Sequence, residues 1–276
     1  MKILVTGHKG YIGSHLYDRL KSQNNHEVVG IDLKDGNDIL YCLPKENFDC
    51  VFHLAAIPSV EYSVENPFYT MRQNVLATSK LLEWSRQSGV EKFIFSSSSA
   101  IYGEGNGPKS PYGMHKQISE MECDIYQKLY GFKSVCLRYY NVYSEDQEYG
   151  GAYSTVVSAW MQMIKEGKPL RLDGDGTQSR DFIHVEDVVS ANIWCMENFS
   201  SLEKLWYDVG YGKTCSLNDI ADVVNKHNSV KWQNAPDRPG DVKHTELGSQ
   251  RLQLTGWTPQ VDITSGLEQC FRKKLK

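Results

Sequence analysis

The stretch TGHKGYIG, Thr6 to Gly13, limits what this chain can fold into more than any other. It follows the apolar run Ile3–Thr6 and opens the helical pattern Gly13–Ser22, with Gly7, Gly10 and Gly13 in GxxGxxG spacing. A chain turning sharply from strand to helix needs glycine at the turn and wherever a ligand must approach the backbone. Free N–H groups at a helix start, with the helix dipole behind them, bind phosphate. The segment therefore predicts a pyrophosphate cradle that includes Tyr11 and Ile12. Asp32 ends the next strand-like run, Val28–Asp32. A carboxylate about twenty residues past the glycines accepts hydrogen bonds from a ribose diol and repels a 2′-phosphate. The expected cofactor is NAD rather than NADP, with Lys34 close by.

Short apolar runs then alternate with helical patterns. Val51–Leu54, Phe93–Ser96 and Ser134–Tyr139 read as strands. Gln73–Ser88 and Tyr112–Tyr130 read as helices, the second with Met114, Ile118, Met121, Ile125 and Leu129 on one stripe. This βαβα order predicts an α/β fold, a doubly wound parallel sheet of the Rossmann type. Past Asn141 the regularity weakens. A helix is expected over about Tyr153–Glu166, a strand over Phe182–Val185, and a helix to Cys195 capped by Asp187. The expected division is a nucleotide-binding domain over 1–141, with 181–200 returning to it. A smaller, loop-rich substrate lobe takes 142–180 and 201–276.

The net charge of -4 gives no pull toward nucleic acid or an anionic membrane. No apolar run is long enough to span a bilayer, and the chain opens on a strand-like MKILVTG, which points to the cytoplasm. Seven cysteines without a CxxC pair argue for reduced thiols. His8, His53, His115 and His184 have no ligand spacing, so no metal is expected. His115 reads as a solvated or packed side chain.

Tyr112 and Lys116 form a YxxxK on a helix, where residues four apart share a face. A free phenol, with a pKa of about 10, is a poor base at neutral pH. A lysine ammonium and a positive nicotinamide ring both favour the phenolate. Tyr112 is then able to exchange a proton with a substrate hydroxyl while hydride moves, and Lys116 to hold the nicotinamide ribose.

Together these motifs resemble the extended short-chain dehydrogenase/reductase family, the NAD-dependent epimerases and dehydratases, over nearly the whole chain. The nearest likeness is to the branch that epimerises UDP-galactose at C4. The resemblance implies adenine contacts from Asp38 and Ile39, and a cofactor wall from Leu54, Ala55 and Ala56. It also implies a cofactor role for Asn74, at the head of NVLATSKLLE. In FIFSSSSAIYG it implies Ser98 as the hydroxyl partner of Tyr112 on the reacting oxygen. Ser97 and Ser99 leave a register of one residue open. LRYYN implies Tyr140 near the nicotinamide and Asn141 on the substrate. RDFIHVEDV and DRPGDV imply Arg180 and Arg238 on a diphosphate, which suits forked guanidiniums, and Asp241 on the nucleoside ribose. A homodimer and a nucleotide-diphosphate sugar are the implied partners.

The chain departs from the family in three places. Asp32 to Val51 leaves little room for a third strand. The segment between Tyr102 and Tyr112 is cut to GEGNGPKSP. Ser99 and Ala100 stand where dehydratases carry an Asp-Glu pair, so 4,6-dehydration is not expected. A decarboxylase, a dehydratase or a 4-keto reductase on this scaffold, and a non-catalytic NAD-binding sensor, remain alternatives to the epimerase.

Overall fold

The computed structural model describes residues 1–150, 154–236, 244–246 and 248–272. The first half runs β1 (Lys2–Thr6), α1 (Tyr11–Ser22), β2 (Glu27–Ile31), β3 (Cys50–His53), α2 (Val60–Glu65), α3 (Pro67–Met71), α4 (Ala77–Gln87), β4 (Lys92–Ser98), α5 (Pro111–Tyr130) and β5 (Ser134–Tyr139). The second runs β6 (Asn141–Tyr143), α6 (Val156–Lys165), β7 (Leu170–Asp173), β8 (Ser179–His184), α7 (Val185–Glu197), β9 (Trp206–Val209), β10 (Thr214–Ser216), α8 (Leu217–His227), β11 (Trp232–Ala235), β12 (His244–Thr245) and α9 (Ile263–Phe271).

Six parallel strands make the main sheet, in the order β2-β1-β3-β4-β5-β9. Strand residues alternate between its faces. Ile3, Val5 and Phe52 pack on one side with Leu16 of α1 and Val188 and Val189 of α7. Leu4, Val51 and Phe93 pack on the other with Leu81 and Leu82 of α4. Burial of both faces explains why these strands read as continuous apolar runs. Between Ile31 and Cys50 there is only a 3₁₀ turn, so β2 is the sheet edge. A second core, with Trp160, Phe182 and Val224, lies under α6, α8 and α9.

Two expectations need correcting. Trp206–Val209, assigned with 201–276 to the lobe, pairs with Cys136–Tyr139 as the sixth strand of the main sheet. Tyr207 and Val209 join one core face and Trp206 the other, so this strand is covered on both sides. Asp187 does not cap α7; His184 does, accepting from Glu186 N. The Asp187 carboxylate instead accepts from Gln260 N at 2.7 Å and Val261 N at 3.1 Å, tying down the tail. The apolar stripe that the sequence put on one side of α5 faces outward, with Met121 63% and Leu129 67% exposed. The buried face of that helix carries Tyr112, His115, Lys116, Ser119 and Glu120.

Candidate active site

The main sheet reverses its direction of growth at β1, and a cleft opens beyond the strand ends there, the usual place for a nucleotide in such folds. Gly7 holds φ +75°, and a Cβ on it would lie 2.7 Å from Ala55 N. A Cβ on Gly13 would lie 2.0 Å from Gly7 O. Gly10 starts α1 with no side-chain cap, so the first-turn N–H groups remain available to an anion. Ile12 packs down on the core beneath them. Tyr11 turns aside, its hydroxyl 2.7 Å from Ser144 Oγ in the stretch after β6.

Asp32 lies at the end of β2. Its carboxylate accepts from Lys9 N at 2.9 Å and from Lys34 N at 2.8 Å, which fixes it at the rim of the cleft. Asp32, Asp38, Ile39, Ala55, Ala56 and Gln73 line about 350 Å³ of open space there. Leu54 packs against the core behind it. Asn74 is buried, and its amide is engaged with Ile57, accepting from the N–H at 2.7 Å and donating to the C=O at 3.0 Å. It therefore shapes the cleft wall by holding the loop after β3. His53 clips the same wall from below. Its ring bonds Thr6 Oγ1 at 2.7 Å and Thr78 Oγ1 at 2.8 Å, and burial pushes its pKa down to about 3. An uncapped helix start, a glycine-lined turn and a rim carboxylate together suit a dinucleotide.

The YxxxK pair lies beside this cleft, on the buried face of α5. Ser110 caps α5 from its side chain and Pro111 opens it, which sets Tyr112 in the first turn. Ser63 Oγ on α2 accepts from Tyr112 N at 3.1 Å. The Ser98 hydroxyl lies against the Tyr112 phenol, and Ser98 Oγ accepts from Ala100 N at 3.1 Å. Ser97 is directed elsewhere, donating to Glu120 at 2.5 Å, so the register of the serine run favours Ser98. Lys116 Nζ donates to Ser96 O at 2.5 Å and lies 6.0 Å from the centre of the Tyr112 ring. Burial opposes charge on both groups. It pushes the Tyr112 phenol up to about 12, with Ser98 pulling the other way. It pushes Lys116 down to about 7, against the field of Glu120. His115, on the same helix, is buried as well.

On the lobe side, Tyr140 is buried and its hydroxyl accepts from Gly248 N at 2.8 Å. Asn141 donates from Nδ2 to Asp181 O at 2.8 Å. Arg180 precedes Asp181 on β8 and donates from Nη1 to Ser179 O at 2.9 Å. Arg238 and Asp241 lie outside the described residues. Sequence reasoning missed Glu120 and Arg138, which form a buried ion pair under the site, with Arg138 Nε 2.9 Å from Glu120 Oε1. One signal was available: Glu120 follows Lys116 by one helical turn, so it had to share that buried face.

Residues 3–210 match the family described as NAD dependent epimerase/dehydratase. The UDP-glucose 4-epimerase of Mycolicibacterium smegmatis is 30% identical, the match covering 99% of each chain. Among solved structures, UDP-glucose 4-epimerase from Thermotoga maritima with UDP-glucose superposes with a TM-score of 0.85 at 31% identity, over 100% of both chains. A UDP-glucuronic acid 4-epimerase variant from Bacillus cereus, in complex with UDP-4-deoxy-4-fluoro-glucuronic acid and NAD, gives 0.85 at 30% identity over 98% of each chain.

Proposed function

This chain belongs to the NAD-dependent epimerase/dehydratase family, and on that premise we propose that it inverts C4 of a UDP-sugar through a transient 4-keto sugar. One observation supports the reading: the Ser98 hydroxyl lies against the Tyr112 phenol, with Lys116 one turn further along the buried face of α5, 6.0 Å from the centre of the Tyr112 ring. NAD, held by the Gly7–Gly13 turn and Asp32, supplies reversible hydride acceptance. Tyr112 Oη takes the proton of the C4 hydroxyl and returns it to the C4 oxygen once the keto sugar has presented its other face. Ser98 Oγ steadies that oxygen. Phenolate on Tyr112 and ammonium on Lys116 each cost desolvation alone, and together they offset one another across a poorly solvated gap. The reading assigns Asn141, Arg180, Arg238 and Asp241 to the nucleotide and its diphosphate.

Relatives that act on UDP-glucose and on UDP-glucuronic acid are about equally similar, so the proposal stops at the UDP-sugar class. The decisive experiment is incubation with NAD and UDP-glucose, UDP-glucuronic acid or UDP-N-acetylglucosamine, followed by separation of products. The expected result is equilibration of one of them with its C4 epimer and no net NADH. Loss of CO₂, net NADH, or a 4-keto-6-deoxy product would overturn the reading. Ser99 and Ala100 lack the acid and base that a dehydration requires.

The same reading makes the active form a homodimer. Met114, Met121, Ile125 and Leu129 put an apolar stripe on the outer face of α5, and Phe68 and Leu76 lie exposed on the segments that pack beside α5. A contiguous apolar face of this kind is usually covered. Light scattering at micromolar concentration should return twice the chain mass of 31.4 kDa. Ile125→Arg, which places a charge in the stripe, should return the single mass with the fold intact by circular dichroism. A wild-type monomer would remove this part of the proposal. Among the described residues no helix is long and apolar enough to cross a membrane.

A further inference from the structure

Two carboxylates at the lobe side of the site have no exposed surface and are met by uncharged donors: Asp181 on β8 and Asp208 on β9. Asp181 accepts from Tyr211 N and Gly212 N, each at 2.7 Å. Asp208 accepts from Tyr102 Oη at 2.8 Å, and the Ser249 N–H also faces it. Gly248 is gripped between the same side chains. Its N–H donates to Tyr140 Oη at 2.8 Å. A Cβ built on it would lie 3.2 Å from Asp208 Oδ2 and 3.5 Å from Tyr102 Cζ.

The Tyr102 hydroxyl has a second partner, Arg138 Nη1, at 2.7 Å. The rest of that guanidinium forks onto Glu120 of α5, one turn beyond Lys116. Arg138 also stacks on Trp206, 3.8 Å from the ring centre, and Arg251 stacks on that ring at 4.1 Å. The segment around Gly248 is therefore joined to the helix carrying Tyr112 and Lys116 through Asp208, Tyr102, Arg138 and Glu120 in turn. In sequence, that segment follows directly on the stretch bearing Arg238 and Asp241.

We infer that Asp208 is a positioning residue for the UDP-sugar side of the site: with Tyr102 and Tyr140 it clamps Gly248 and Ser249, and through Arg138 and Glu120 it ties that segment to α5. This rests on the UDP-sugar reading above. The identity of the residue supports it. Asparagine would satisfy Tyr102 through its carbonyl, but it would turn a second donor toward Ser249 N–H. A carboxylate keeps an acceptor on that side: its second oxygen, Oδ2, is buried and takes no other hydrogen bond. Burial pushes Asp208 up to about 6, with Asp181 pushed to about 6 as well. A carboxyl whose pKa is higher folded than unfolded costs stability once the pH exceeds that value. The fold carries this cost at neutral pH, which is the pattern of a group kept for a site.

The test is Asp208→Asn and, separately, Tyr102→Phe, each followed by hydrogen exchange over residues 244–251 and by titration with UDP and with NAD. UDP-sugar kinetics accompany both. For Asp208→Asn we expect exchange over that segment to be about tenfold faster. The Kd for UDP and the KM should rise about tenfold, as for one lost hydrogen bond to a charged group. NAD affinity should not change, kcat should stay within about twofold, and thermal stability at pH 7 should not fall. Tyr102→Phe should loosen the same segment and weaken UDP in the same direction. Unchanged exchange with UDP binding intact would overturn the clamp. Faster exchange with unchanged UDP affinity would overturn its positioning role. A parallel fall in UDP affinity, NAD affinity and melting temperature would make Asp208 a folding residue. A wild-type protein that binds no UDP would overturn the underlying reading instead, and would be recognised before any variant is made.

Discussion

Replacing Tyr112 with phenylalanine should lower turnover by about 10² to 10⁴, the usual contribution of a positioned acid–base group. The ring is buried, and its packing survives the change. The backbone N–H still donates to Ser63 Oγ, so the start of α5 should keep its place. NAD affinity and the circular dichroism spectrum are therefore expected to match the wild type, and the loss should fall on kcat. Ser98→Ala should cost less, because it removes one hydrogen bond from the reacting oxygen and leaves the phenol in place. A Tyr112→Phe enzyme with near-normal UDP-sugar epimerisation would eliminate the phenol as proton carrier even with the fold unchanged.

Lys116→Met should split stability from binding. Burial lowers the Lys116 pKa to about 7 in the folded protein, from an ordinary value of 10.5. Between those two values the unfolded chain holds a proton that the folded chain sheds, so stability rises with pH across that window. At pH 7 and below the buried lysine therefore weakens the fold. At one pKa unit per about 1.4 kcal/mol, less the lost bond to Ser96 O, methionine should stabilise the NAD-free protein by about 2–4 kcal/mol at pH 7. That gain should fade as the pH approaches 10.5. NAD should bind about 1.5–3 kcal/mol more weakly, because a charged donor to the ribose is gone. Melting curves from pH 6 to pH 10, with and without NAD, measure both effects. A variant no more stable than wild type at pH 7 would mean that Lys116 is charged without strain in the folded protein. Unchanged NAD affinity would remove its role in holding the cofactor.

Glycine spacing, strand–helix alternation and the YxxxK were open to sequence reasoning for a physical reason. Each is a local requirement. A turn needs glycine at particular steps, a strand buried on both faces must be apolar along its length, and a helix brings residues four apart onto one side. The chain order of the domain, the glycine turn Gly7–Gly13 with Asp32 at its rim, and the Tyr112–Lys116 pair on one helix face followed from those requirements. The serine run was less legible. Ser97, Ser98 and Ser99 are chemically alike, and only the strand's alternation, carrying Ser97 toward Glu120 and Ser98 toward Tyr112, separates them.

What only the tertiary structure decided lies where burial and polarity part company. Helix α5 turns its polar face inward and its apolar stripe outward, because the site and the Glu120–Arg138 pair occupy the interior beneath it. Amphipathic periodicity reports that a helix has two faces and leaves open which one the core takes. Trp206–Val209 joined the main sheet because a sheet edge beside β5 was open to it, a long-range pairing with no local signature. Asp208 and Tyr102 stand 106 positions apart in the chain, and nothing in either neighbourhood announces the other. The sequence by itself determined the fold class, the glycine turn between β1 and α1, and the placing of Tyr112 and Lys116 on one helix face, since each depends on neighbours along the chain. Which carboxylates lie buried, and which segments they hold against the site, was decided by contacts that exist only once the chain has closed on itself.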